Sequence, residues 1–197
     1  MSITVSDKQL DQLLAYLDIL NKWNKAYNLT AIKDQAQMVI LHLLDSLSIA
    51  AYLEGENILD VGSGAGLPGI PLAILLPEKQ FTLLDSNGKK VRFMNQVFYD
   101  LQLDNVKVVQ KRVESWASDD KFDVITSRAF SALLEMVNVT DHLLKDKGLW
   151  MAMKGQYPED EIVSLTNARA DVAIDESRSL TVPGCKGSRH LIILSKS

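Results

Sequence analysis

The densest chemistry in the sequence is a glycine loop. Asp60-Val61-Gly62-Ser63-Gly64-Ala65-Gly66-Leu67-Pro68-Gly69 follows the apolar run Asn57 to Val61 without a break. Glycines at such a turn let the backbone bend sharply and approach a ligand closely. Gly64, Gly66 and Gly69 satisfy the spacing G-x-G-x-x-G, which is a weak match on its own. A dinucleotide fingerprint would begin as the strand ends, at Gly62, and its third glycine would then fall at Leu67. The alternation Gly62, Gly64, Gly66 behind acidic Asp60 suits S-adenosylmethionine better. That ligand has no pyrophosphate to seat on a helix N-terminus. Its amino-acid end and sulfonium can be held by an acid near the loop. Asp85 ends the next apolar run, where an acid hydrogen-bonds ribose hydroxyls or caps the helix that follows. Val113 and Glu114 follow the third run, where a backbone N–H and a carboxylate can reach an adenine edge, or the carboxylate is simply solvated. The fourth run, from Phe122, ends in Ser127-Arg128-Ala129-Phe130, where a transferred methyl group should point.

These groups need a scaffold that aligns them at one edge. Short apolar strands are predicted at 57–61, 81–85, 106–109, 122–126 and 149–153. Helical stretches lie between them, clearest at 89–101 and 132–144. Near-continuous apolar strands alternating with helices predict a parallel sheet covered on both faces. The end differs. Residues 171–181 and 190–195 read as two strands joined through Pro183-Gly184-Cys185-Lys186-Gly187 with no helix between, which predicts an antiparallel hairpin. A Rossmann-like α/β sheet, mostly parallel and closed by a C-terminal hairpin, is the class I methyltransferase outline. A plain dinucleotide-binding sheet has no reason to finish that way. Ahead of it, Ser6 and Gln9 form a capping-box pattern before Leu10, Leu13, Leu14 and Leu17, so 7–26 is predicted to be an amphipathic helix. A second helix is predicted over 35–53, with Val39, Leu43, Leu47 and Ala50 on one side. The expected organisation is an N-terminal helical extension, 1–54, on a methyltransferase domain, 55–197, in one compact unit.

Composition narrows the class. The chain has 197 residues, 47% hydrophobic and 23% charged, which excludes global disorder. One cysteine, Cys185, excludes an intrachain disulfide and a four-thiolate zinc site. His42, His142 and His190 lie on different elements without ligand spacing, so no metal is expected. The start of the chain lacks the basic and apolar stretches of a signal peptide. The apolar run at Ile70 is too short to span a bilayer. A soluble, monomeric cytoplasmic protein is the expectation. Net charge is −4, which excludes a generic polycationic nucleic-acid binder. Between Ser86 and Arg112, however, stand six bases (Lys89, Lys90, Arg92, Lys107, Lys111, Arg112) against two acids. That stretch is either a solvated face or a patch for a polyanion.

Five motifs in order carry a resemblance over nearly the whole chain: Lys22-Trp23-Asn24-Lys25-Ala26-Tyr27-Asn28-Leu29-Thr30, His42-Leu43-Leu44-Asp45-Ser46, the loop from Asp60 to Pro71, Thr126-Ser127-Arg128-Ala129 and Lys154-Gly155. They resemble the bacterial small-subunit ribosomal RNA guanine-N7 methyltransferases, also called the glucose-inhibited division protein B family. The resemblance implies S-adenosylmethionine as cofactor, a guanine in 16S rRNA of the small ribosomal subunit as target, and cofactor contacts from Gly62, Leu67, Val113, Glu114 and Arg128. Guanine N7 carries a lone pair and no proton, so alignment rather than a general base is the catalytic need. Arg128 is the one residue expected in the transfer step, against cofactor, base or both. In A-form RNA the N7 edge lies in a groove too narrow for side chains, so the target should be unpaired or flipped out. Asn28, His42, Asp45 and Ser46 either close over the pocket toward RNA or make caps and buried hydrogen bonds between the first helices. Lys154 is either a phosphate contact or an exposed lysine at a strand end.

Overall fold

The computed structural model describes residues 4–197. Its centre is a seven-stranded sheet ordered β3-β2-β1-β4-β5-β7-β6. The strands are β1 (Asn57–Val61), β2 (Gln80–Asp85), β3 (Val106–Gln110), β4 (Phe122–Arg128), β5 (Leu144–Lys154), β6 (Val172–Ser179) and β7 (His190–Lys196). The first five run parallel to one another, and β7 alone runs against both β5 and β6. After β3 the chain crosses back over β2 and β1 to place β4 beside β1. Neighbouring connections therefore diverge between β1 and β4. Ligands bind outside the carboxyl ends of the strands at such a point.

Period-two burial divides the strand side chains between two cores. Ile58, Leu83, Val124, Met151 and Ile193 face one cluster, while Leu59, Leu84, Ile125, Trp150 and Ile192 face the other. The first cluster is covered by α1 (Asp7–Tyr27), α4 (Gly69–Leu75) and α5 (Gly88–Leu101). The second is covered by α6 (Leu133–Thr140) and α7 (Glu159–Ala168).

The capping box forms as read: Ser6 Oγ accepts the Gln9 N–H and Gln9 Oε1 accepts the Ser6 N–H. Gln9 also donates to the carbonyls of Ile74 and Leu75, so α1 caps the end of α4. Leu13, Tyr16, Leu17 and Leu20 of α1 pack in the same cluster as Ile70, Leu72, Phe93 and Val97. The N-terminal helices thus share one core with the sheet.

Three elements differ from expectation. The second helix is broken into α2 (Gln35–Met38), a π-helical turn (Val39–Leu44), α3 (Asp45–Leu47) and a 3₁₀ turn (Ala50–Tyr52). The π turn leaves carbonyls that a side chain from elsewhere takes up, as described below. β5 begins at Leu144, because polar Lys145, Asp146 and Lys147 hide its first residues from a hydrophobic reading. α7 was not anticipated: its apolar positions are few, and Leu165 is its only fully buried residue.

Candidate active site

The loop after β1 folds back on β2. Gly62 and Ser63 donate their N–H groups to the Leu84 carbonyl, at 2.8 and 3.1 Å. Gly62 has φ +69°, and a Cβ there would stand 2.5 Å from Cδ2 of Phe130. The backbone conformation and the space both require glycine. Tyr16 reaches in from α1, and its buried hydroxyl donates to the Ala65 carbonyl at 2.7 Å. Burial pushes the Tyr16 phenol well above its ordinary pKa. The N-terminal helix therefore holds the loop from behind.

Asp60 lies under this loop with no exposed surface. Its Oδ2 accepts the N–H of Gly69, the first residue of α4, at 3.0 Å, and its Oδ1 has no partner. Burial pushes its pKa from 3.8 up to about 7, against the lowering effect of the Gly69 hydrogen bond. Asp85 is also tied down. Its Oδ2 accepts the Gly64 N–H at 2.9 Å, its Oδ1 accepts the Asn87 N–H at 2.8 Å, and Lys90 Nζ stands 3.6 Å away. The helix cap beyond it is supplied by Asn87, whose side chain accepts from Lys89.

A cleft of about 300 Å³ opens at the carboxyl ends of β1 and β2. Gly62, Asp85, Ser86, Val113, Glu114, Ala129 and Phe130 line it, and Lys90, Lys111 and Arg112 also border it. Of the sequence-predicted cofactor residues, Gly62, Asp85, Val113 and Glu114 meet there. Gly64 and Leu67 belong to the same loop without lining the cleft, and Leu67 is buried. Phe130 was not singled out from sequence. It packs on Gly62, and nothing in its local pattern announces that contact.

Arg128 lies outside the cleft lining. Its Nη1 donates to the Leu41 carbonyl at 2.7 Å and to Asp45 Oδ2 at 3.0 Å, and Nη2 lies 3.5 Å from His42 Nδ1. Leu41 belongs to the π turn, and such turns mark functional places in helices. The other Asp45 oxygen accepts from Arg189 Nε at 2.7 Å. His42 Nε2 lies 2.9 Å from Thr30 Oγ1. Burial, reinforced by Arg128, pushes the His42 pKa down to about 4.

Several expectations for RNA contact need correction. His42, Asp45 and Ser46 are buried, so none presents an open surface to RNA. Their alternative reading, bonds between the first helices, is not met either: Asp45 holds Arg128 and Arg189, His42 meets Thr30 in the link after α1, and Ser46 Oγ has no partner. Asn28 is exposed but serves as the left-handed C-cap of α1. Asn24 organises the link after it, accepting from the Thr30 N–H and donating to the Ile32 carbonyl. Lys154 is neither free nor exposed. Its ammonium donates to the Ser131 carbonyl at 2.8 Å and to Glu161 at 2.7 Å, and Glu161 also accepts the Leu133 N–H. It pins the segment after β4 to α7. Lys89 and Arg92 are exposed on α5, and Lys107 pairs with Asp120 at 3.3 Å away from the cleft. Among the described residues no helix is long and apolar enough to cross a membrane.

A five-strand parallel sheet with a reversed strand beyond it, and a glycine loop and a cleft bearing Asp85 and Glu114 at its switch point, define a class I methyltransferase. Solved structures share this fold at low sequence identity. A glycopeptide N-methyltransferase, MtfA, complexed with S-adenosylmethionine superposes with a TM-score of 0.66 at 10% identity, over 79% of this chain and 87% of that one. A ribosomal protein L11 methylase from Lactobacillus delbrueckii subsp. bulgaricus gives 0.61 at 18% identity, over 78% and 77%. The family model for rRNA small subunit methyltransferase G matches residues 9–192. Proteins of that name from Marinobacter nauticus and Salmonella arizonae are 54% and 50% identical, over 100% and 99% of this chain and 91% and 93% of their own lengths. The chain belongs to the rRNA small subunit methyltransferase G family.

Proposed function

We propose that this protein transfers a methyl group from S-adenosylmethionine to N7 of a guanine in 16S rRNA of the small ribosomal subunit, acting as a monomer in the cytoplasm. The observation that carries the cofactor choice is Asp60. Its carboxylate already occupies the first N–H of α4. A dinucleotide pyrophosphate needs that helix N-terminus, and the Asp60 side chain already fills it. S-adenosylmethionine needs no such seat.

The residues present fit that group. Gly62, by lacking a Cβ, leaves room for the Phe130 ring that lines the cleft beside it, and the buried Asp60 Oδ1 is an acceptor without a partner. Asp85 keeps lone pairs for ribose hydroxyls, and Val113 and Glu114 border the same cleft for the adenine. When bound, the cofactor supplies an electrophilic methyl on a sulfonium.

The protein's own part is alignment. Tyr16, Asp60 and Asp85 hold the loop rigid, and Lys154 pins the segment after β4, so the reacting atoms meet at one geometry. Guanine N7 needs no proton removed, and His42, with its pKa near 4 and its ring buried, is not arranged as a base. Lys90, Lys111 and Arg112 border the cleft, Lys89 and Arg92 are exposed on α5, and together they supply the phosphate contacts. The test is twofold. Titration calorimetry should show S-adenosylmethionine binding and NAD not binding. Incubation with isotope-labelled cofactor should label 16S rRNA in small subunits and leave other RNA unlabelled. Tight NAD binding, or no label in 16S rRNA, overturns the reading.

A further inference from the structure

Asp45 is a buried carboxylate shared by two arginines from distant parts of the chain. Its side chain is 5% exposed, with Arg128 Nη1 at 3.0 Å on one oxygen and Arg189 Nε at 2.7 Å on the other. Arg128 ends β4, and Arg189 immediately precedes β7. A buried ion cluster of this kind contributes little net stability, because desolvation offsets the Coulomb gain. It does fix geometry. With Nη1 bonded to both Asp45 and the Leu41 carbonyl, the Arg128 guanidinium is held against the π turn and away from the cleft.

The charge count matters as much. Arg128 and Arg189 are cations, Asp45 is an anion, and His42 beside them is neutral near pH 7 because burial and Arg128 push its pKa to about 4. The cluster therefore carries a net charge of +1. It borders the transfer site. Thr126, two residues before Arg128, pairs with Asp60, while Ala129 and Phe130, just after it, line the cleft. A cation bound there lies in the field of the Arg128 guanidinium, whose charge also acts on buried Asp60.

We propose that Asp45 is a positioning residue of the transfer site, acting through Arg128: it fixes the guanidinium and cancels its charge where a cationic methyl donor has to sit. The proposal rests on the S-adenosylmethionine reading above. S-adenosylhomocysteine, the demethylated product, makes the same contacts but lacks the sulfonium charge. The ratio of the two affinities therefore reads the electrostatic field at the sulfur and is blind to general damage to the pocket.

The experiment is calorimetric titration of the wild-type protein and three variants with S-adenosylmethionine and S-adenosylhomocysteine. Asp45→Asn raises the cluster to +2 and should lower the preference for the sulfonium by about tenfold, the order expected of a unit charge at roughly 10 Å in partly solvated protein. Arg189→Ala lowers the cluster to zero and should shift the preference the other way, by a few-fold. Asp45→Asn combined with Arg128→Gln returns the count to +1 and should restore the wild-type ratio even if both ligands bind more weakly. Opposite signs and rescue by a second lesion are not outcomes of a merely structural role. Arg189 is on the half-exposed rim, so its variant carries the test if Asp45→Asn fails to fold. Equal weakening of both ligands in Asp45→Asn, or an Arg189→Ala shift in the same direction or absent, overturns the proposal. Failure of the wild-type protein to bind either ligand sinks the cofactor reading instead.

Discussion

Asp60 should make the ligand-free protein less stable as the pH rises from acidic to neutral. The carboxyl group is fully buried, and its pKa rises from 3.8 to about 7 on folding. Between those values the folded chain holds a proton that the unfolded chain has lost. Stability therefore falls as pH rises from about 4 to about 7 and is flat above that. At about 1.4 kcal/mol per unit, the whole shift corresponds to about 4 kcal/mol, and about 3 kcal/mol of it falls between pH 5 and 8. His42 works in the opposite direction, since its pKa is lowered from 6.5 to about 4 and its contribution grows as pH rises through that window. Comparison with Asp60→Asn cancels His42, which both proteins share. The amide adds a fixed offset, because one of its groups inherits the unpartnered position of Oδ1, but adds no pH dependence. Urea unfolding at pH 5 and pH 8 is the assay. The stability of Asp60→Asn relative to wild type should increase by about 3 kcal/mol between the two pH values, which moves the midpoint difference by about 1 M or more at ordinary m-values. A relative stability that stays within about 0.5 kcal/mol across that range would refute the reasoning, and with it the buried, unpartnered oxygen.

Three other perturbations separate the parts of the site. Gly62→Val should abolish S-adenosylmethionine binding in calorimetry while leaving a folded protein by circular dichroism, because its side chain would displace the Phe130 ring, which lines the cleft. Tyr16→Phe removes the hydroxyl that holds the Ala65 carbonyl and should lower stability by about 1 kcal/mol in thermal or urea unfolding, and weaken cofactor binding by loosening the loop. Lys89→Glu with Arg92→Glu, both exposed on α5 and outside the cleft lining, should weaken binding to 16S rRNA fragments and flatten the dependence of log affinity on log salt by about two phosphate contacts or more, with S-adenosylhomocysteine affinity changed much less. An unchanged salt slope would return the stretch to a solvated face.

What was legible in the sequence was local. β1 spans the residues its apolar run predicts, and the glycine loop and the terminal hairpin announce themselves through turn chemistry and strand spacing. The capping box fixes the start of α1 from four consecutive residues. The site's long-range bonds left no such mark. Asp45 and Arg128 are 83 residues apart and Asp45 and Arg189 are 144 apart, so their pairing follows from tertiary packing and not from spacing. Lys154 read as a phosphate contact or an exposed strand end because Glu161, its partner, belongs to a helix too weakly patterned to be seen. The π turn was hidden too. A regular helix and a π turn share an apolar pattern over six residues, and what distinguishes this one is the carbonyl that Arg128 takes up.

The central claim is the atom methylated. Small ribosomal subunits lacking this modification would be incubated with the purified protein and isotope-labelled S-adenosylmethionine, and the 16S rRNA digested to nucleosides for mass spectrometry. The account predicts label in N7-methylguanosine and in no other nucleoside. Label on an exocyclic amine, a ring carbon or a ribose hydroxyl would contradict it, because those positions must lose a proton and N7 carries none.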